Sequence, residues 1–199
     1  MYPFLQQALA TVAFAAAGAL LATSARAALR EGDSAPAFQA RASLAGQAFD
    51  YKLQDALARG PVVVYFYPAA YTGGCNLQAR TFAERMPEFE AAGASVVGVS
   101  LDGIERLNEF SADPQYCAGK LPVASDADGR IARGFDVGVS ATPSGRRDTR
   151  GRDIDHGRAD RTTFVLRTDG RVAAVIGGIA PDANVLQALQ AVRRIAPAR

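Results

Sequence analysis

The chain has 199 residues, of which 49% are hydrophobic and 21% charged, with a formal net charge of +2. That near balance provides no basic footprint for nucleic acid. A single histidine, His156, and two cysteines, Cys75 and Cys117, exclude a histidine-rich metal site or a copper-carrying centre.

From Ala8 to Ala25 the chain is an almost unbroken apolar run, closed by Ala25-Arg26-Ala27, the A-x-A pattern that signal peptidase cuts. Residues 1–27 read as a secretory signal, although no Lys or Arg lies between Met1 and Gln7. An uncleaved membrane anchor is the alternative, weakened by the Ala and Gly that dominate the run. The expected location is therefore periplasmic, or membrane-anchored if the segment is retained. Residues 28–199 are enough for one well-buried domain and too few for two ordinary ones.

In that domain, Gly32–Phe38 reads as a short extended piece and Ser43–Phe49 as a hairpin turning near Gly46. Lys52–Arg59 suits a short helix ending at Gly60. The apolar run 61–67 is a buried strand. Past it, Cys75, Ala79, Phe82, Met86 and Phe89 recur at helical spacing. Pro87 predicts a kink or restart in that helix. Residues 94–100 form a second strand and 103–112 a helix. Asp113-Pro114 looks like the cap and first position of a short extra turn carrying Cys117, with Gly119 as its stop. Residues 121–125 form a third strand and 128–134 a short helix. Residues 138–160 are polar, rich in Arg and Asp and without periodicity, as in a functional or mobile loop. In it, His156 reads as solvated, and Arg146, Arg147, Arg150 and Arg152 as a solvated face interleaved with aspartates. A hairpin of 162–166 and 172–176 turns at Asp169-Gly170. A last helix from Pro181 lays Val185, Leu189, Val192 and Ile195 on its apolar face. Strands alternating with helices, then a hairpin and a closing helix, predict an α/β sandwich with a mixed sheet.

The chemistry centres on Cys75. A buried strand feeds the loop Pro68-Ala-Ala-Tyr71-Thr72-Gly73-Gly74, which delivers one thiol to the first turn of a helix. Helix N-termini favour negative charge, and the thiolate is the reactive form of cysteine. Two cysteines in an exported protein also suit a static disulfide, but a staple does not need its sulfur on a Gly-rich strand-to-helix corner, whereas a nucleophile does. On composition alone, Arg161 suits a rim pair with Asp160, Thr72 a turn and Pro68 a strand terminator.

The pattern Pro68-xxx-Thr72-xx-Cys75 after Tyr65-Phe66-Tyr67, with Arg161-Thr162-Thr163-Phe164 downstream, resembles the active-site signature of the peroxiredoxins. Gly32–Phe38, Ser125–Gly129 and Phe135-Asp136-Val137 also match, so the resemblance covers about residues 31–195. It points to the bacterioferritin-comigratory, or PrxQ-like, subgroup. It implies a thioredoxin-like three-layer sandwich, with a central mixed sheet flanked by helices, and no cofactor. Cys75 is then the peroxidatic cysteine, Thr72 and Arg161 hold the peroxide, and Pro68 shields the site. The position five residues after Cys75, where many members carry the resolving thiol, is Arg80. Cys117 fits the members that carry it after the second strand, with Cys117 as an inert thiol the alternative. The implied partners are a hydroperoxide and a thioredoxin-like dithiol reductant, the protein acting as a monomer or weak homodimer. A thiol–disulfide oxidoreductase or redox chaperone is the competing class, weakened because Gln78 stands where Cys-x-x-Cys needs its second cysteine.

Overall fold

The computed structural model describes residues 29–195. The expected signal segment, 1–27, lies outside the described residues. Among the described residues no helix is long and apolar enough to cross a membrane.

The chain opens with an antiparallel hairpin, β1 (Gln39–Leu44) and β2 (Gln47–Lys52). Its two turn residues, Ala45 and Gly46, both take positive φ, 50° and 79°, as a tight hairpin between twisted strands requires. α1 (Leu53–Leu57) leads to β3 (Val62–Phe66), in which every residue is buried. Then follow α2 (Gly73–Ala91), β4 (Ser95–Ser100), α3 (Ile104–Ala112), β5 (Val123–Ser125) and α4 (Arg130–Gly134). β6 (Val139–Ser140) and β7 (Arg158–Ala159) pair with each other and close off the polar segment between them. β8 (Thr162–Leu166), β9 (Val172–Gly177) and α5 (Pro181–Ile195) end the fold.

Seven strands form one sheet in the order β2-β1-β5-β4-β3-β8-β9. β3, β4 and β5 run parallel because helices α2 and α3 connect them; the other pairings are antiparallel. Strand side chains alternate between faces. Val63, Tyr65 and Tyr67 therefore join a core with α2, α5 and the Cys117 turn, while Val62, Val64 and Phe66 join another with α1 and α4. This is the mixed-sheet sandwich that the sequence pattern predicts, in the thioredoxin-like form that the resemblance implies.

Two details depend on packing. Tyr65 faces Gly98 across the β3/β4 pair, and a Cβ on Gly98 would lie 2.6 Å from the Tyr65 Cζ. Glycine there gives the ring room to stack on Tyr67 and Phe82, with centroids 5.3 and 4.5 Å away. The restart expected at Pro87 does not occur: α2 is continuous from Gly73 to Ala91. Proline removes one backbone donor, but the burial of Phe82, Met86 and Phe89 on both sides of it holds the helix together.

Candidate active site

β3 and β8 pair antiparallel, with Phe66 opposite Thr162. The end of β3 therefore lies beside the start of β8. The loop Tyr67–Thr72 leaves β3 there, and Arg161 stands directly before β8. The same corner receives the first turn of α2, which carries Cys75. Residues 86 positions apart thus meet: Arg161 Nη2 lies 3.4 Å from Cys75 Sγ. Cys75 is buried, at 2% exposure. Gly74 admits this approach, since a Cβ there would come within 3.2 Å of Arg161 Nη2 and 3.4 Å of Pro181 Cγ.

Thr72 takes the N-cap position of α2 in extended conformation. Its hydroxyl donates to the Ala69 carbonyl at 2.9 Å, so its oxygen lone pairs stay available to accept. Pro68 is half-buried on the same loop. The first N–H groups of a helix have no partners within it, which leaves donors around the sulfur.

Arg161 is held from behind. Its Nη1 donates to Gln78 Oε1. Gln78 Nε2 donates to Asn184 Oδ1 at 3.0 Å, and Thr163 Oγ1 donates to the same oxygen at 2.6 Å. Gln78, Thr163 and Asn184 are all fully buried. Sequence reasoning used Gln78 only as a missing cysteine and passed over Asn184. The available signal was spacing: Gln78 lies one turn from Cys75 on the same helix face.

The Pro68–Thr72 loop is fastened on its other side. The Ala70 N–H donates to the buried Asp102 carboxylate at 2.8 Å, which also accepts from Ser100 Oγ at 2.7 Å. His156 is not solvated, as expected from sequence, but half-buried, with Nε2 3.1 Å from Asp102 Oδ1. Arg106 bridges Asp102 and the buried Asp148. The expected solvated arginine face is also only partly so. Arg147 pairs with Asp153 in the open, whereas the Arg150 guanidinium lies 4.0 Å from the centre of the Tyr71 ring. Thr149 donates to the Tyr71 carbonyl through both its N–H and its hydroxyl, each at 2.8 Å. Tyr71 itself takes φ of 61°, unusual outside glycine. The segment 138–160 is thus a strap over the cysteine loop, a tertiary role that its polar composition conceals.

Cys117 sits elsewhere in the same core, fully buried, in the turns that follow α3. Asp113 Oδ1 accepts from the Gln115 N–H at 2.9 Å, and Gly119 takes φ of 66°, as the capped turn with its glycine stop predicts. Arg80 Nε donates to the Gln115 carbonyl at 2.7 Å, tying this turn to α2. Burial, with a smaller contribution from Asp113, pushes the Cys117 thiol well above the ordinary range. Both cysteines are free.

A buried sulfur at a helix start, with a guanidinium against it, at the ends of the interior strands β3 and β8 of a mixed sheet, places the chain among thiol peroxidases of thioredoxin-like fold. Residues 32–175 match the AhpC/TSA family. The chain is 31% identical to peroxiredoxin Bcp of Escherichia coli over 147 residues, 74% of this chain and 85% of that protein. The crystal structure of peroxidoxin BcpB from Mycobacterium tuberculosis matches with a TM-score of 0.69 at 32% identity, covering 84% of this chain and 98% of that one. A bacterioferritin comigratory protein of Xanthomonas campestris, whose structures were described for alkyl peroxide reduction, matches with a TM-score of 0.62 at 28% identity, over 78% of this chain and 91% of that one. The chain belongs to the AhpC/TSA family and is a peroxiredoxin.

Proposed function

We propose that the chain reduces hydrogen peroxide and organic hydroperoxides through Cys75, with Cys117 as resolving thiol and a dithiol protein as the final reductant. The observation that carries this reading is the Arg161 guanidinium 3.4 Å from the Cys75 sulfur. In the first step the Cys75 thiolate attacks the outer oxygen of ROOH. An S–O bond forms, the O–O bond breaks, and the leaving oxygen takes a proton to give ROH. Arg161 stabilises the charge moving onto the peroxide oxygens, and Thr72 accepts the peroxide hydrogen. Pro68 limits water at the loop.

The sulfenic acid then condenses with the Cys117 thiol, forming the S–S bond and releasing water. A disulfide needs Cα atoms within about 7 Å. The full burial of Cys117 and its raised pKa support a local opening before this step. Thiol–disulfide exchange with the partner dithiol restores both thiols and leaves the partner oxidised.

The test is one equivalent of peroxide followed by dimedone and mass spectrometry. The expected product is a dimedone adduct on Cys75 that accumulates in Cys117→Ser and gives way to a Cys75–Cys117 disulfide in the native chain. Normal peroxide turnover without Cys75 overturns the reading. Export rests on the segment 1–27 alone; cell fractionation and the N-terminal mass of the mature protein test it.

A further inference from the structure

We propose that Asn184, on the C-terminal helix α5, is a positioning residue that dictates which end of the Gln78 carboxamide faces Arg161, and thereby the reactivity of Cys75. The inference rests on the reading of Cys75 and Arg161 as the peroxide-reducing pair.

A carboxamide has an acceptor at one end and a donor at the other. Reversing it hardly changes its shape but inverts every hydrogen bond it makes. In this core the direction is forced, beginning at a backbone group. The Ile176 carbonyl at the end of β9 can only accept, so Asn184 must turn its NH₂ to it, at 3.1 Å. Asn184 Oδ1 then faces the other way, where it accepts from both Gln78 Nε2 and Thr163 Oγ1. Gln78 must therefore spend its NH₂ on Asn184, which leaves its carbonyl oxygen for Arg161.

The opposite arrangement is costly. A guanidinium has no acceptor, so a reversed Gln78 sets donor against donor. Gln78 and Asn184 are both fully buried, so bulk solvent does not reach them to repair the mismatch. With Nη1 tethered to the Gln78 oxygen, Nη2 is the nitrogen left at the sulfur. Gly74 lies against the guanidinium on the helix side, where a Cβ would come within 3.2 Å of Nη2. A one-way chain of donors thus runs from a carbonyl of β9 through α5 and α2 to the side chain that faces Cys75.

The test measures the second-order rate of Cys75 oxidation by hydrogen peroxide, read by dimedone quench, and the rate of Cys75 alkylation by iodoacetamide at one pH. In Asn184→Ala only Arg161 itself still orients Gln78, whose buried NH₂ has lost its acceptor. The oxidation rate is expected to fall by about tenfold, while alkylation of Cys75 by iodoacetamide falls less. Adding Gln78→Glu to that variant is expected to restore most of the rate, because a carboxylate has an oxygen at both ends and cannot present the wrong one. An unchanged rate in Asn184→Ala, or a double variant as slow as the single one, overturns the proposal. If Asn184→Ala does not fold, Asn184→Asp serves instead: it keeps the acceptor on Gln78 but loses the ordinary amide donor to Ile176. Its melting temperature is expected to drop while the oxidation rate stays within about threefold of wild type; a rate that falls in step with stability overturns the proposal. Arg161→Ala is measured alongside. A slow Arg161→Ala beside a fast Asn184→Ala defeats this inference alone, whereas a fast Arg161→Ala removes the underlying pair and the inference with it.

Discussion

Cys75 and Cys117 belong to one hydrophobic core and are equally hidden from solvent, yet their surroundings differ in kind. Cys75 opens a long helix, with a guanidinium on its sulfur and a loop of special backbone geometry in front of it. Cys117 lies in a tight turn among aromatic rings, where burial and the nearby Asp113 both disfavour the thiolate. Two equally buried thiols therefore differ in the charges and donors around the sulfur, which bear on how readily a thiolate forms. The two segments also differ in how they are held. The Cys75 loop is fixed from two sides, by Asp102 and by Thr149. The Cys117 turn is held to α2 by the Arg80 bond to Gln115.

This contrast can be broken at either end. The largest effect is expected from Cys75→Ser, which should lower peroxide consumption by at least about a thousandfold; a coupled turnover assay checks it. Arg161→Ala should slow the first oxidation by roughly a hundredfold, the scale of removing one donor to developing charge, while iodoacetamide alkylation falls less. Gly74→Ala should cost about tenfold in the same rate, because the new methyl displaces the guanidinium it would meet at 3.2 Å. Cys117→Ser should leave the first oxidation within about twofold yet abolish the disulfide, with overoxidised Cys75 appearing by mass spectrometry under excess peroxide.

The smallest effect concerns the strap. Burial works against a charged His156, but the hydrogen bond and charge of Asp102, the Gly157 carbonyl and Asp155 outweigh it, so its pKa is raised. A raised native pKa stabilises the fold fully below the ordinary imidazole value of about 6.5 and ceases to do so as pH rises through the native value. The urea midpoint of the wild type should decline across that interval, and the decline should be shallower in His156→Gln.

Much of the fold was legible because its signals are local. The run Val62–Phe66 is apolar throughout because a central strand is covered on both faces. Ala45-Gly46 and Asp169-Gly170 announce their hairpins through turn chemistry. Cys75, Thr72 and Arg161 were named from motif and resemblance, and the structure brings them to one corner. Gln78 and Asn184 escaped notice because their partners lie 83 and 106 residues away from each donor or acceptor in the chain. The restart offered at Pro87 did not occur for the converse reason: a local breaker was overridden by packing along the rest of α2.

By itself the sequence determined where most of the strands and helices run and which cysteine starts a helix, since periodicity, glycine and proline act within a few residues; the short β6 and β7 lie in the aperiodic segment that reads as loop, and Arg161 was singled out by the resemblance. Only the tertiary structure decided that His156 turns inward, that the polar segment 138–160 straps the cysteine loop, and that two buried amides orient Arg161. Hydrogen bonds between distant residues depend on which surfaces the sheet and helices bring together, and that is a property of the assembled chain rather than of any stretch of it.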